Sequence, residues 1–385
     1  MRSAIKRAVV VVLLLALPAL TAWNLAADPQ QRLFVGAPLS GVTLNDTTGA
    51  WSWTALISGE LQRRVAAQIA EALPIRPLAI RLNNEYRFDL FGATSIPDGI
   101  LKGRDGQLVP RRPYLDEYCS RTEARLFARV ASVIPKLLFA QSYFAARGAR
   151  FLYVITPSKA AHLPEDFDLP TSCAGTTDSR ARFVLRYVEL LREAGIDVLD
   201  LATLIHSQKG RWDVGMFPGG GLHWNMLGAA LAANAIVDRI NLPSVRRIPF
   251  SVGSGVSAAS DNDVAELLNV YSAFSYPTTA VQLQRLPCSE DARSLEISLV
   301  GGSFMQLPAQ ILIEQGCLSA LRLYFYGQAA VFGGDPFTQL QTRIGREQLQ
   351  PLLRSKVIIV EENEAGLGNF PYVRDLQKYL SDAAG

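Results

Sequence analysis

Two short segments carry residue types that perform acyl chemistry. In LEISLVGGSFMQLP, Ser303 follows an apolar run and two glycines, with a helix-forming stretch beyond it. A serine at a strand-to-helix turn exposes its hydroxyl, and the free N–H groups at the helix start can hold an oxyanion. The glycines let the backbone approach a substrate. The same position also suits an ordinary helix N-cap. In GLHWNMLGAALAA, His223 is one of three histidines in 385 residues. It precedes a helical pattern for which Asn225 is a fitting N-cap. The positive end of that helix favours the neutral imidazole that a general base needs. A packed core or loop histidine is the alternative.

A serine and a histidine of this kind call for a carboxylate to orient the ring. Asp200 ends IDVLDL, Asp213 lies in the loop leading to the glycines, and Asp263 lies in SDNDVAELLNV. Each suits a helix N-cap or a solvated loop charge as well. Trp224 offers a face to the imidazole or to a sugar. Lys159, in TPSKA, offers a charge to a polyanionic sugar or serves as a strand-end residue. His162 and His206 sit in helix-end or loop contexts. The run Gly219, Gly220, Gly221 predicts backbone at positive φ, where other residues are strained.

The elements that must position these groups follow an α/β pattern. RFLYVITP, IDVLDL, LEISLVGG, LRLYFYG and KVIIVEE are short apolar runs of the kind found in a buried parallel sheet. RARFVLRYVELLREAG and NMLGAALAANAIVDRI read as helices between them. Alternation of this sort predicts a parallel sheet flanked by helices on both faces. Residues 244–292, rich in Ser, Gly and Pro, break the rhythm and read as an insertion. Residues 28–73 read as a linker and a helix, and 74–385 as the catalytic domain.

Charge and cysteines narrow the setting. A net charge of +3 from scattered Lys and Arg leaves no nucleic-acid footprint. Arg2, Lys6 and Arg7 precede the uncharged run AVVVVLLLALPALTAWNLAA, long enough to cross a bilayer. Residues 1–27 are therefore expected to be an uncleaved signal anchor, with a cleaved signal as the alternative and export in either case. Cys119, Cys173, Cys288 and Cys317 show no metal-ligand spacing and fit disulfides of an oxidising compartment. The pairs expected are Cys119–Cys173 and Cys288–Cys317, each coupling neighbouring loops. No cofactor or metal is expected.

From about residue 74 to 366 the chain resembles the alginate O-acetyltransferase type of SGNH-hydrolase-like proteins, the exported group that acetylates bacterial exopolysaccharides. ILKGRDGQLV resembles the G-K-D-G-W-L-F segment, YVITPSKAAHLPE the P-S-K strand end, and LHWNMLGAALAA the D-x-H-W block. SDNDVAELLNV resembles G-D-L-x-x-M-L, and LVGGSF resembles G-D-S-F. Histidine before serine is the family's circularly permuted order. The resemblance implies Ser303 as nucleophile and His223 as base. It implies a polysaccharide acceptor and a membrane-bound O-acyltransferase as acetyl donor. The family's acid two residues before the histidine is here Gly221, and the acid of G-D-S-F is Gly302. An acetyl-ester hydrolase or a weakly catalytic polysaccharide-binding scaffold would share most of these features.

Overall fold

The computed structural model describes residues 15–27, 31–33, 39–41, 51–94, 99–169, 173–242, 245–257, 261–272, 275–284, 287, 295–315, 318–325, 328–332, 340–343 and 346–384. Contacts divide the chain into two units, Met1–Pro97 with Ala265–Ala273, and Asp98–Val264 with Phe274–Gly385.

The first unit is helical. Ser52 caps the helix Trp53–Ile57 by accepting from the Ala55 N–H. Glu60–Ala72 and Arg76–Phe91 follow, the second closed by Gly92 at positive φ, where no Cβ is strained. Asn84 donates to the Leu268 carbonyl at 2.8 Å, and Asn24 to the Ala72 carbonyl at 3.0 Å. Among the described residues no helix is long and apolar enough to cross a membrane. Residues 1–14, which begin the expected anchor, lie outside them.

The second unit is built on one seven-stranded sheet. Its strands are β1 (Arg150–Thr156), β2 (Val198–Asp200), β3 (Glu296–Val300), β4 (Ala320–Phe325), β5 (Gln328–Phe332), β6 (Leu340–Arg343) and β7 (Val357–Asn363). The order across the sheet is β6-β5-β4-β3-β7-β1-β2. All five runs singled out in the sequence are strands, and all five are mutually parallel. The expectation of a wholly parallel sheet needs correction, because β5 and β6 pair antiparallel at one edge. Only residues 326–327 separate β4 from β5. So short a link can make a hairpin but not a parallel crossover.

β7 is buried at every position and β1 at all but its first, so the central sheet is covered on both faces. Phe151, Tyr153, Ile155, Ile358 and Val360 pack on one face with Val133, Leu137 and Phe144 of helix Glu123–Ala145, Tyr187 of Thr177–Glu193 and Leu376 of Pro371–Ala384. The alternate residues Leu152, Val154 and Ile359 are equally buried. This packed centre is what gives the carboxyl ends of β1, β3 and β7 fixed positions. The expected insertion contains a separate hairpin, Phe250–Val256 paired antiparallel with Pro277–Leu283. Cys119 and Cys173 form the expected disulfide. Cys288 and Cys317 lie outside the described residues.

Candidate active site

Three chain segments meet at the carboxyl end of the sheet. β3 ends at Val300, Gly301 and Gly302 follow, and Ser303 opens a turn that continues as helix Gln306–Gln315. Asn225 caps helix Met226–Ile240, as its sequence context predicts, by accepting from the N–H groups of Leu227 and Gly228. Its amide also donates to the Gly215 carbonyl at 3.0 Å. His223 is thereby held two residues before the cap of that helix. Asp263 opens the short helix Asp263–Leu267 within the insertion.

The side chains form one line. Ser303 Oγ lies 2.6 Å from His223 Nε2, and Asp263 Oδ2 lies 2.7 Å from His223 Nδ1. Asp263 Oδ1 accepts from the N–H groups of Leu222 at 2.8 Å and Val264 at 3.0 Å. Burial works to raise the Asp263 pKa. The His223 hydrogen bond and charge and the two N–H groups outweigh it and hold the acid below its ordinary range. An ionised Asp263 accepts only, so Nδ1 carries the imidazole proton. Nε2 then presents its lone pair to the serine hydroxyl, the polarity a general base requires.

Of the three candidate acids, the structure brings Asp263 alone to the imidazole. Asp200 caps helix Leu201–His206 by accepting from Thr203 N at 2.8 Å and Thr203 Oγ1 at 2.6 Å. Asp213 is exposed on the bend that leads to the glycines.

Two further expectations are corrected. Trp224 is 1% exposed and so offers no face to a sugar. Its indole donates to the Phe304 carbonyl at 3.1 Å, tying the histidine segment to the serine segment. Phe304 in turn packs on the His223 ring with centroids 4.7 Å apart. Lys159 is 0% exposed and reaches no substrate surface. Its Nζ donates to the carbonyls of Pro218, Gly219 and Gly221 at 2.7, 2.9 and 2.8 Å. Burial lowers its pKa to about 7, against the attraction of Asp263 and Asp166. It is a staple inside the glycine loop, and its long stem made that burial possible.

The glycine run also has a different cause from the one expected. None of Gly219, Gly220 and Gly221 has positive φ. Gly221 is required by close approach, since a Cβ there would stand 2.7 Å from the Asp261 carbonyl oxygen and 2.8 Å from Pro218 Cγ. The chain that delivers Asp263 runs through the space a side chain at 221 would need. Tyr276 fastens the same crossing, accepting from Gly220 N at 3.1 Å and donating to the Asp261 carbonyl at 2.5 Å.

The sequence analysis gave Glu361 no role, and it placed His162 and His206 in helix-end or loop contexts, where both in fact close short helices. Glu361 Oε2 accepts from the Gly302 N–H at 2.7 Å. The signal was available, because KVIIVEENEAGL places three acids in an apolar strand and its end. His162 and His206 meet through their Nδ1 atoms at 3.0 Å, and His206 Nε2 lies 2.7 Å from Glu364. Among the described residues no group of three or more His, Cys, Asp and Glu side chains is arranged to hold a metal ion.

One family model matches the greater part of the second unit. The family model described as "SGNH hydrolase-like domain, acetyltransferase AlgX" matches residues 103–350, more than half of the chain. Comparison with curated protein sequences gives no match. Among solved structures, AlgX of Pseudomonas aeruginosa is 14% identical with a TM-score of 0.49, covering 74% of this chain and 67% of its own. The O-acetyltransferase domain of Pseudomonas putida AlgJ is 17% identical with a TM-score of 0.46, covering 73% and 99%. PatB1 of Bacillus cereus is 12% identical with a TM-score of 0.41, covering 70% and 97%.

Proposed function

Because the chain belongs to the AlgX family of SGNH hydrolase-like acetyltransferase domains, we propose that it is a serine-dependent O-acetyltransferase whose acceptor is an exopolysaccharide. The observation that carries this reading is the unbroken line Ser303–His223–Asp263, with both hydrogen bonds under 2.8 Å.

Ser303 Oγ attacks the acetyl carbonyl carbon while His223 Nε2 takes the hydroxyl proton. The developing imidazolium is stabilised by Asp263, and the oxyanion is held by N–H groups of the turn that begins at Ser303. Collapse returns the proton to the departing donor group and leaves an acetyl ester on Ser303. An acceptor hydroxyl of the sugar then attacks that ester, His223 takes its proton, and Ser303 Oγ leaves with a proton from His223. The same steps with water as acceptor give an esterase, so transfer depends on keeping water from the ester.

The family supplies the remaining parts of the proposal. The chain is exported, held to the inner membrane by residues 1–27, and receives its acetyl group from a membrane-bound O-acyltransferase. Incubating the full chain with an acetyl ester and a hydroxyl-rich oligosaccharide should give acetylated oligosaccharide, and Ser303→Ala should give none. Release of free acetate alone, with no acetylated sugar, would favour the esterase. Equal transfer by Ser303→Ala would end the proposal.

A further inference from the structure

One buried acid faces the nucleophile turn and takes no part in the steps above. Glu361, on β7, is 1% exposed. Thr156 Oγ1, on the neighbouring β1, donates to its Oε1, and the Gly302 N–H donates to its Oε2 at 2.7 Å. Desolvation of a carboxylate is costly, and two neutral donors offset only part of it. Burial accordingly pushes the Glu361 pKa up, with Thr156, Gly302 N–H and the charge of His223 pulling the other way. An acid kept in so unfavourable a place invites a functional account.

The two glycines before Ser303 record its presence. A Cβ on Gly301 would stand 2.6 Å from Glu361 Oε2, too close to exist. A Cβ on Gly302 would stand 3.4 Å from the same oxygen and 3.3 Å from Tyr372 Oη. The carboxyl group thus fills the room of a side chain at position 301 and borders that of one at position 302. Gly302 is also the residue from which the turn springs, in extended backbone at φ −94° and ψ −175°. Holding its N–H fixes the direction in which the chain enters Ser303.

We propose that Glu361 is a positioning residue for the nucleophile: from β7 it clamps the Gly302 N–H and so aims the Ser303 hydroxyl at His223. The inference rests on Ser303 being the nucleophile. A carboxylate introduced at position 302 would start beside the one on Glu361, because its Cβ would stand 3.4 Å from Glu361 Oε2.

The test is the rate at which a fluorophosphonate labels Ser303 in the full chain, compared for the parent, Gly302→Asp, Glu361→Ala and the double variant. Each single change should slow labelling by about 10²-fold, the scale of a small misplacement of a reacting group. Gly302→Asp does so by forcing a second carboxylate against Glu361, and Glu361→Ala by releasing the turn. The double variant should label at least about tenfold faster than either single one, because the new carboxyl group enters the vacated space. A structural role alone predicts the opposite, a double variant slower than both. Where Glu361→Ala is not recovered folded, Gly302→Asp is compared with Gly302→Asp/Glu361→Gln. Removing the charge should then speed labelling about tenfold, and no gain would overturn the inference. A parent that is not labelled removes the nucleophile itself, whereas a labelled parent with losses that simply accumulate removes only the role of Glu361.

Discussion

Asp263→Asn should abolish most of the activity, and by a route the hydrogen bonds dictate. Asp263 Oδ1 already accepts two backbone N–H groups, from Leu222 and Val264. An asparagine at 263 must keep its carbonyl oxygen there, because its amide cannot accept. The NH₂ group then faces His223 Nδ1 and forces that nitrogen to become the acceptor. The imidazole proton moves to Nε2, which meets Ser303 Oγ at 2.6 Å and can no longer take its proton. In a serine protease triad the same exchange costs about 10⁴ in rate, about 5 kcal/mol of transition-state stabilisation. The measurement is kcat/KM for acetyl-ester turnover with the parent and the Asn variants at 200, 213 and 263. Asp263→Asn should fall by about 10³–10⁴-fold, while Asp200→Asn and Asp213→Asn stay within about tenfold of the parent. Asp263→Ala, which leaves the tautomer free, should be the milder lesion. An Asp263→Asn enzyme within tenfold of the parent would refute the tautomer argument.

Gly221→Asp restores the D-x-H pattern yet should lower turnover rather than raise it, because its Cβ would meet the Asp261 carbonyl oxygen at 2.7 Å; a tenfold gain would show that the crossing yields. Lys159→Met should cost about 3 kcal/mol near neutral pH from the three lost hydrogen bonds, and the loss should depend on pH. The folded chain holds the Lys159 pKa at about 7, against 10.5 in the unfolded chain. Above pH 7 the unfolded state therefore binds the extra proton, and this group makes unfolding harder as pH rises toward 10.5. In urea melts the stability of the parent over Lys159→Met should grow from pH 7 to pH 9.5 by up to about 1.4 kcal/mol per unit, and a flat difference would contradict the burial of a titrating lysine. The full chain should stay with inner membranes through a high-salt wash, whereas an N-terminus found near Asp28 would show a cleaved signal.

The strands and the serine–histidine pair were legible because their signals are local. β1, β3 and β7 each contain a short apolar run, and Ser303 and His223 each lie within a few residues of a turn or cap that reports their setting. The acid was harder, because Asp263 stands 40 residues from His223. It is delivered by an insertion whose composition reads as loop, so local context ranked it no higher than Asp200 or Asp213. Trp224 and Lys159 misled for a shared reason. Both have large apolar bodies with a polar tip, and sequence does not tell whether the tip meets solvent or a backbone carbonyl. The glycine run was read as a conformational need when Gly221 meets a steric one, and the colliding atom lies 40 residues further along at Asp261. The antiparallel edge depended on a link of two residues between apolar runs that otherwise look alike.

The proposed role of Ser303 as acetyl carrier is best examined by trapping the ester. The full chain is mixed with an activated acetyl ester, quenched in acid within a second, digested and read by mass spectrometry. The peptide containing LVGGSFMQLP should gain one acetyl group on Ser303, and Asp263→Asn should lose that signal with its turnover. An acetyl group found on another residue, or turnover that survives Ser303→Ala unchanged, would contradict the account.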